Sequence, residues 1–174
     1  MRKFLIGLIL GILVLPVSIW FYFRSGRVPV AAYAPMMPFE KQLSKMALNA
    51  KIDAEAPGKA PIPADEANLT AGAKIYREQC AYCHGLPGQQ LNAAGKGMFP
   101  KPTEMFVKKG VTDDPAGESY WKIANGIRLS GMPSFKGALT EEQMWQVSLV
   151  LVNAHNLPPA AVAALQAEPV AAGK

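Results

Sequence analysis

Cys80-Ala81-Tyr82-Cys83-His84 is the stretch on which the reading of this chain turns. Two cysteines separated by two residues and followed at once by histidine form the attachment signature of a c-type haem. The chemistry explains the spacing. Two thiols add to the two vinyl groups on one edge of a porphyrin, so they must sit about one helical turn apart. The next residue then falls beneath the iron, where an imidazole can serve as the proximal ligand. Cys80 and Cys83 are the only cysteines in the chain, so no disulfide framework can be built. A bare pair of this kind also occurs in thioredoxin-like redox sites and as half of a zinc site, and the immediate histidine favours haem.

Working outward, residues 64–79 read as a helix that delivers the chain directly to Cys80. Asp65 and Glu66 suit the positive end of its dipole, and alanines fill its interior. Gly72 inside it costs nearly 1 kcal/mol relative to alanine on an exposed face, which makes sense if another helix crosses closely. Tyr76 shares its face. A second helix opens at the capping box Thr140-Glu141-Glu142-Gln143 and runs to about His155, ahead of Pro158-Pro159. Its apolar residues, from Met144 and Trp145 to Val152, lie almost all round it, so burial is expected, with Trp145 near Gly72 or Tyr76. Between the two, Tyr120-Trp121 to Arg128 reads as a short helix ended by Gly126, after a turn at Asp113-Asp114-Pro115.

Gly72 and Tyr76 on a helix leading into the Cys-Ala-Tyr-Cys-His motif, a later Gly131-Met132-Pro133 and a closing helix together resemble a class I c-type cytochrome. The resemblance covers about residues 64–157. It implies a small all-α domain wrapped round one covalent haem c, with its iron and with first and last helices crossing. It also implies a sixth ligand, usually a methionine well downstream and often followed by proline. Met132 fits, in a turn-rich stretch with Gly131, Pro133 and Phe135. A thioether favours ferrous iron and suits an electron carrier. Met98 and Met105 stand close to His84 and read better as pocket lining. His155 complements the end of its helix. An open sixth position is the remaining option.

His84 needs its second ring nitrogen held by a backbone carbonyl. By resemblance a proline after the motif supplies it, and Pro100 and Pro102 are the two candidates. Related domains also use an aromatic or an arginine to reach a haem propionate. Trp121 and Arg128 suit that role chemically, against the plainer readings of a core tryptophan and a surface arginine. Ile123 and Ile127 are expected against the haem face. Lys96, Lys101, Lys108 and Lys109 gather in one region, either steering an acidic partner or simply solvated.

The 174 residues hold one ordinary domain with something attached. The attachment is residues 4–23, apolar apart from Ser18. Twenty residues at about 1.5 Å each match the roughly 30 Å hydrocarbon core of a bilayer. Trp20, Phe21, Tyr22 and Phe23 suit an interfacial belt, and a membrane span tolerates Pro16. Arg2 and Lys3 would also open a cleaved signal peptide, but the apolar run is longer than such peptides carry, and the Ala32-Tyr33-Ala34 match is followed by Pro35. Residues 1–27 are therefore read as a single-pass anchor in the inner membrane, with the haem domain in the periplasm because covalent attachment takes place outside the cytoplasm.

Residues 28–63 form a Pro/Ala-rich linker. Phe39, Leu43, Met46 and Ala50 share one face of a short amphipathic helix there, lying either on lipid or, by a slight preference, on the haem domain or another subunit. Pro57-Gly58 and Pro61-Ile62-Pro63 act as a spacer. Residues 64–157 are the cytochrome domain, and residues 158–174 an alanine-rich, weakly helical tail with no identifiable chemistry.

The formal net charge is +5, yet residues 64–174 carry ten Lys/Arg against ten Asp/Glu. A neutral domain without a basic stripe makes no nucleic-acid partner expected. The partners expected are the lipid bilayer and membrane or periplasmic redox proteins. The chain reads as a non-enzymatic single-electron carrier, free or as a subunit of an oxidoreductase complex. The alternatives are a haem-based sensor or peroxidase-like protein with Met132 displaceable, a zinc module using Cys80, Cys83, His84 and His155, and a dithiol oxidoreductase.

Overall fold

The computed structural model describes residues 1–107 and 114–167. Lys108, Lys109, Asp113 and residues 168–174 lie outside the described residues. The all-α expectation holds: among the described residues no strand forms, only an isolated bridge between Lys136 and Leu139. The chain separates into two compact units, Met1–Leu43 and Ser44–Lys174.

The first unit holds α1 (Arg2–Arg24), with Pro16 inside it, a helix long and apolar enough to cross a membrane. At its end the Arg24 guanidinium lies 5.1 Å from the Trp20 ring centroid, and the Ser25 hydroxyl donates to the Tyr22 carbonyl at 2.7 Å. α2 (Glu40–Glu55) opens where the Glu40 carboxylate accepts from the Met37 N–H at 2.8 Å.

The expected amphipathic face of α2 is not the one that packs. Phe39, Leu43 and Met46 are 70, 58 and 64% exposed, whereas Ile52 is buried. In the last turn of α2 Ile52 is buried and the exposed Glu55 carboxylate accepts from the Trp121 indole N–H. After it, the backbone of Pro57 and Gly58 lies so close to Gly117 that a Cβ there would sit 2.9 Å from the Gly58 oxygen and clash with the Pro57 carbonyl. The proline-rich stretch therefore packs at Gly117 within the second unit, Ser44–Lys174.

α3 (Glu66–Gln79) is capped by Asp65, whose carboxylate accepts from the Asn68 N–H at 2.9 Å. Leu69, Gly72, Ala73 and Tyr76 recur on one face and are buried. α7 (Glu141–Val152) opens on the expected capping box: the Gln143 N–H donates to the Thr140 hydroxyl, and the Thr140 N–H donates to the Gln143 side chain. Every residue from Met144 to Leu151 is buried, including Gln146 and Ser148. The polar pair is satisfied, Gln146 by the Asn68 side chain at 3.0 Å and Ser148 by the Ala116 carbonyl. The helix ends at Val152, short of His155, because the Asn153 side chain bonds back to the Leu149 carbonyl at 2.8 Å.

α3 and α7 cross at Gly72, but the residues that meet it are Gln146 and Val150. Trp145 does not lie there. It stacks on Tyr120 of α6 (Ala116–Asn125), with ring centroids 4.2 Å apart and an angle of 17°. Trp145 stands on the side of α7 that faces α6, whereas Gln146 and Val150 occupy the side that faces α3.

The C-terminal segment is helical as its alanines suggest, but it is buried where a tail was expected. Residues 159–166 form α8 (Pro159–Gln166), started by Pro159 at its first turn. Ala161, Ala164 and Leu165 are buried against α3, and Arg77 donates to the Ala164 carbonyl at 3.1 Å. Small alanines let α8 approach α3 closely, so this stretch belongs to the core and is not a tail.

Candidate haem site

The attachment motif sits on α4 (Ala81–His84), a single helical turn begun at Cys80. The N–H groups of Cys83 and His84 both donate to the Cys80 carbonyl, at 3.1 and 3.0 Å. This turn sets the two thiols and the imidazole along one strip of backbone. Both cysteines are unpaired and partly buried. Burial, and then the nearby Cys83, pushes the Cys80 thiol up to about 12, which keeps it protonated. Gly85 follows with φ 76°, in the left-handed region open to glycine. Its carbonyl accepts from the buried Tyr76 hydroxyl at 2.8 Å, and the Tyr76 ring meets Phe106 edge-on at 5.1 Å.

The half-buried His84 ring is held by its Nδ1–H, which donates to the Thr103 carbonyl at 2.8 Å. The carbonyl expected from Pro100 or Pro102 is thus supplied by the residue immediately after Pro102. The prolines shape the path of this segment, and the Phe99–Pro100 bond is cis, while the chain reaches the ring one residue later. Burial lowers the His84 pKa, with the Thr103 bond acting in the opposite sense. Burial thus disfavours the protonated ring, and with Nδ1–H committed to Thr103 it is Nε2 that is left to a metal.

A cavity of about 260 Å³ opens beside His84, walled by Leu86, Met105, Phe106 and Val107 among others. Met105 lines it, as its sequence position suggested. α5 (Ala93–Gly97) closes on the attachment turn through Gly95, where a Cβ would sit 3.0 Å from the Cys83 carbonyl.

Met132 is carried on a loop pinned to α6. Gly126, at φ 67°, lies so close to the returning chain that a Cβ would stand 2.6 Å from the Pro133 carbonyl carbon. The Phe135 N–H donates to the Ile123 carbonyl at 3.1 Å and the Ser134 hydroxyl to the Ala124 carbonyl at 2.6 Å. Met132 and Phe135 pack, partly buried, against the same apolar core as Cys80, Leu86, Met105 and Phe106. Met98 does not line the cavity beside His84. Its sulfur lies 3.1 Å from where a Gly131 Cβ would stand.

Trp121 is buried and its indole N–H donates to the Glu55 carboxylate at 3.2 Å. An indole has one N–H to give, so the propionate contact expected of Trp121 gives way to this bond with α2. Arg128 is exposed on the Met132 loop. Ile123 is buried and Ile127 partly so. Lys96 donates to the Gln90 side chain at 3.1 Å, and Lys101 pairs with Glu104 at 3.6 Å. The other two lysines of the expected group, Lys108 and Lys109, lie outside the described residues. Among the described residues no three His, Cys, Asp or Glu side chains converge as a metal cluster. His155 is exposed, so the four-ligand zinc reading has no site.

The residues present fit a covalent haem. Two unpaired thiols stand one turn apart, the following imidazole is oriented by Thr103, and beside it opens a cavity walled by Leu86, Met105, Phe106 and Val107 on its apolar side and by Gln89, Gln90 and Glu104 on its polar side. When bound, the haem iron supplies a reversible one-electron couple, and the chain supplies ligands, low polarity and orientation.

The family described as "Cytochrome C oxidase, cbb3-type, subunit III" matches residues 67–149. The chain is 31% identical over 140 residues to quinohemoprotein alcohol dehydrogenase ADH-IIG of Pseudomonas putida, covering 76% of this chain and 17% of that protein. It is 33% identical over 109 residues to thiosulfate dehydrogenase of Stutzerimonas stutzeri (strain A1501), covering 60% and 34%. To cytochrome c6 of Parathermosynechococcus lividus it is 30% identical over 87 residues, half of this chain and 91% of that one. The chain thus spans well under half of either dehydrogenase but nearly all of the cytochrome c6. On the attachment turn, the oriented histidine, the crossed helices and this last likeness, the chain belongs to the class I c-type cytochromes and carries one covalent haem c.

Proposed function

We propose that the chain is a membrane-anchored monohaem carrier, passing single electrons between redox proteins on the periplasmic face of the inner membrane. The observation that carries the reading is the His84 imidazole, oriented by the Thr103 carbonyl, directly after two unpaired thiols one turn apart. Cys80 and Cys83 attach the haem, His84 and Met132 are its axial ligands, and Arg128 serves a propionate. With imidazole and thioether both bound, no position is left for a substrate. The protein's part is then to hold the ligands, exclude water and present a docking surface.

α1 acts as the anchor, supported by its length, its apolar composition and the aromatic cluster at Trp20 to Phe23. Tethering raises the effective concentration of the domain at membrane partners. Relatives that are an alcohol dehydrogenase and a thiosulfate dehydrogenase, and a family named for an oxidase subunit, support an oxidoreductase as partner. The chain then works as its subunit or its tethered acceptor.

Cell fractionation tests the anchor. The expected result is a haem-stained polypeptide that keeps residues 1–27, stays in the membrane pellet through an alkaline carbonate wash, and is digested when protease is added to spheroplasts. A soluble haem protein lacking those residues would refute the anchored form.

A further inference from the structure

The loop that carries Met132 is closed on itself by one side chain. The Ser130 hydroxyl donates to the Ile127 carbonyl at 2.7 Å and accepts from the Met132 N–H at 3.2 Å. The Ser130 N–H donates to the same Ile127 carbonyl at 3.2 Å, and the Ile127 N–H donates to the Met132 carbonyl at 3.1 Å. Both polar backbone groups of Met132 are therefore tied into one ring, its N–H through the Ser130 hydroxyl and its carbonyl through the Ile127 N–H. We propose that Ser130 is a positioning residue for the sixth iron ligand, fixing the Met132 backbone so that its thioether holds its place against competing ligands. The inference rests on the reading of Met132 as that ligand.

Three features of the loop support a constrained geometry. Leu129, at the tip of the ring, has φ 60° and is 94% exposed. A left-handed backbone is costly for leucine, and an exposed side chain gains no burial to offset it, so the hydrogen bonds around Ser130 hold the turn. Gly126 and Pro133 fix the ring's base, one by close approach and the other by its locked φ. The Met98 sulfur, 3.1 Å from the Cβ position of Gly131, closes the side next to Met132.

The physical consequence concerns entropy. A methionine side chain has three rotatable bonds and wanders unless its backbone is fixed. Fixing the backbone beforehand lowers the ordering cost of bringing sulfur to iron, and an incoming ligand must then compete with a preorganised thioether.

The test is an imidazole titration of the oxidised haem protein, following loss of the weak near-infrared sulfur-to-iron band, in wild type, Ser130→Ala, Ser130→Thr and Met132→Ala. Ser130→Ala should bind imidazole about fivefold more tightly than wild type, the factor expected from losing a hydrogen bond of ordinary net strength. Ser130→Thr keeps the hydroxyl and should behave as wild type. Wild-type affinity in Ser130→Ala would overturn the proposal while leaving Met132 as ligand. So would an equal tightening of imidazole binding in Ser130→Thr, since loss of the hydroxyl would then not be the cause. A band that survives in Met132→Ala would overturn the ligand assignment itself, and the proposal with it.

Discussion

Gly72 of α3 lies directly against the main chain of α7 at Gln146. A Cβ on Gly72 would stand 2.5 Å from the Gln146 carbonyl carbon and 2.9 Å from Val150 Cγ2. The obstacle is backbone, which cannot rotate out of the way as a side chain can. Gly72→Ala gains helix propensity of nearly 1 kcal/mol but must push the two helices apart at their crossing. The expected net loss is about 2 kcal/mol of stability, read as a lowered denaturant midpoint of the haem protein. A midpoint at or above that of wild type would show that the crossing is looser than described.

Leu165→Ala examines whether α8 belongs to the core. Leu165 is fully buried against α3, and removing most of a buried leucine side chain costs about 2–5 kcal/mol. The same substitution in a solvated tail would change stability by less than about 0.5 kcal/mol. Denaturant unfolding separates the two outcomes.

Glu55 links α2 to α6 through Trp121, and that link depends on pH. Its carboxyl is held below the ordinary glutamate range by hydrogen bonds from Lys51 and then from Trp121. A carboxyl lowered in the folded state contributes stability that is present above its unfolded pKa and lost as pH falls through the folded value. The Trp121 indole N–H resonance should therefore shift with a midpoint below pH 4.5, the group's ordinary value, and the titration should vanish in Glu55→Gln. A midpoint above that value, or one unchanged by the substitution, would contradict the contact.

Single removal of Cys80 or Cys83 should leave haem attached by one thioether, with the reduced pyridine adduct absorbing at longer wavelength than wild type. The double replacement Cys80→Ala with Cys83→Ala should yield no haem-stained band on a denaturing gel. Stain retained in the double variant would mean attachment elsewhere.

Much of this was legible in the residues because the informative signals are local. The Cys-Ala-Tyr-Cys-His turn, the capping box at Thr140 and the glycine at position 72 each state their role within a few residues. Contacts set by tertiary geometry were not legible. Thr103 reaches His84 with a backbone carbonyl, which every residue has, so its side chain carries no signal. Trp145 stacks on Tyr120 rather than lying by Gly72 because an all-round apolar helix does not announce which side meets which partner. α8 is built of alanines, whose burial shows only once a neighbouring helix is in place. The Trp121 bond to Glu55 joins residues far apart in sequence, across a stretch that read as a spacer.

The most direct test of the account is the optical spectrum of membranes containing this chain, oxidised and reduced, beside the Met132→Ala variant. The account predicts a c-type spectrum with a weak near-infrared band in the oxidised wild type, and loss of that band in the variant. A wild type that already lacks the band, or that binds carbon monoxide freely when reduced, would contradict the closed His84 and Met132 pair and favour a sensing or peroxidase-like role.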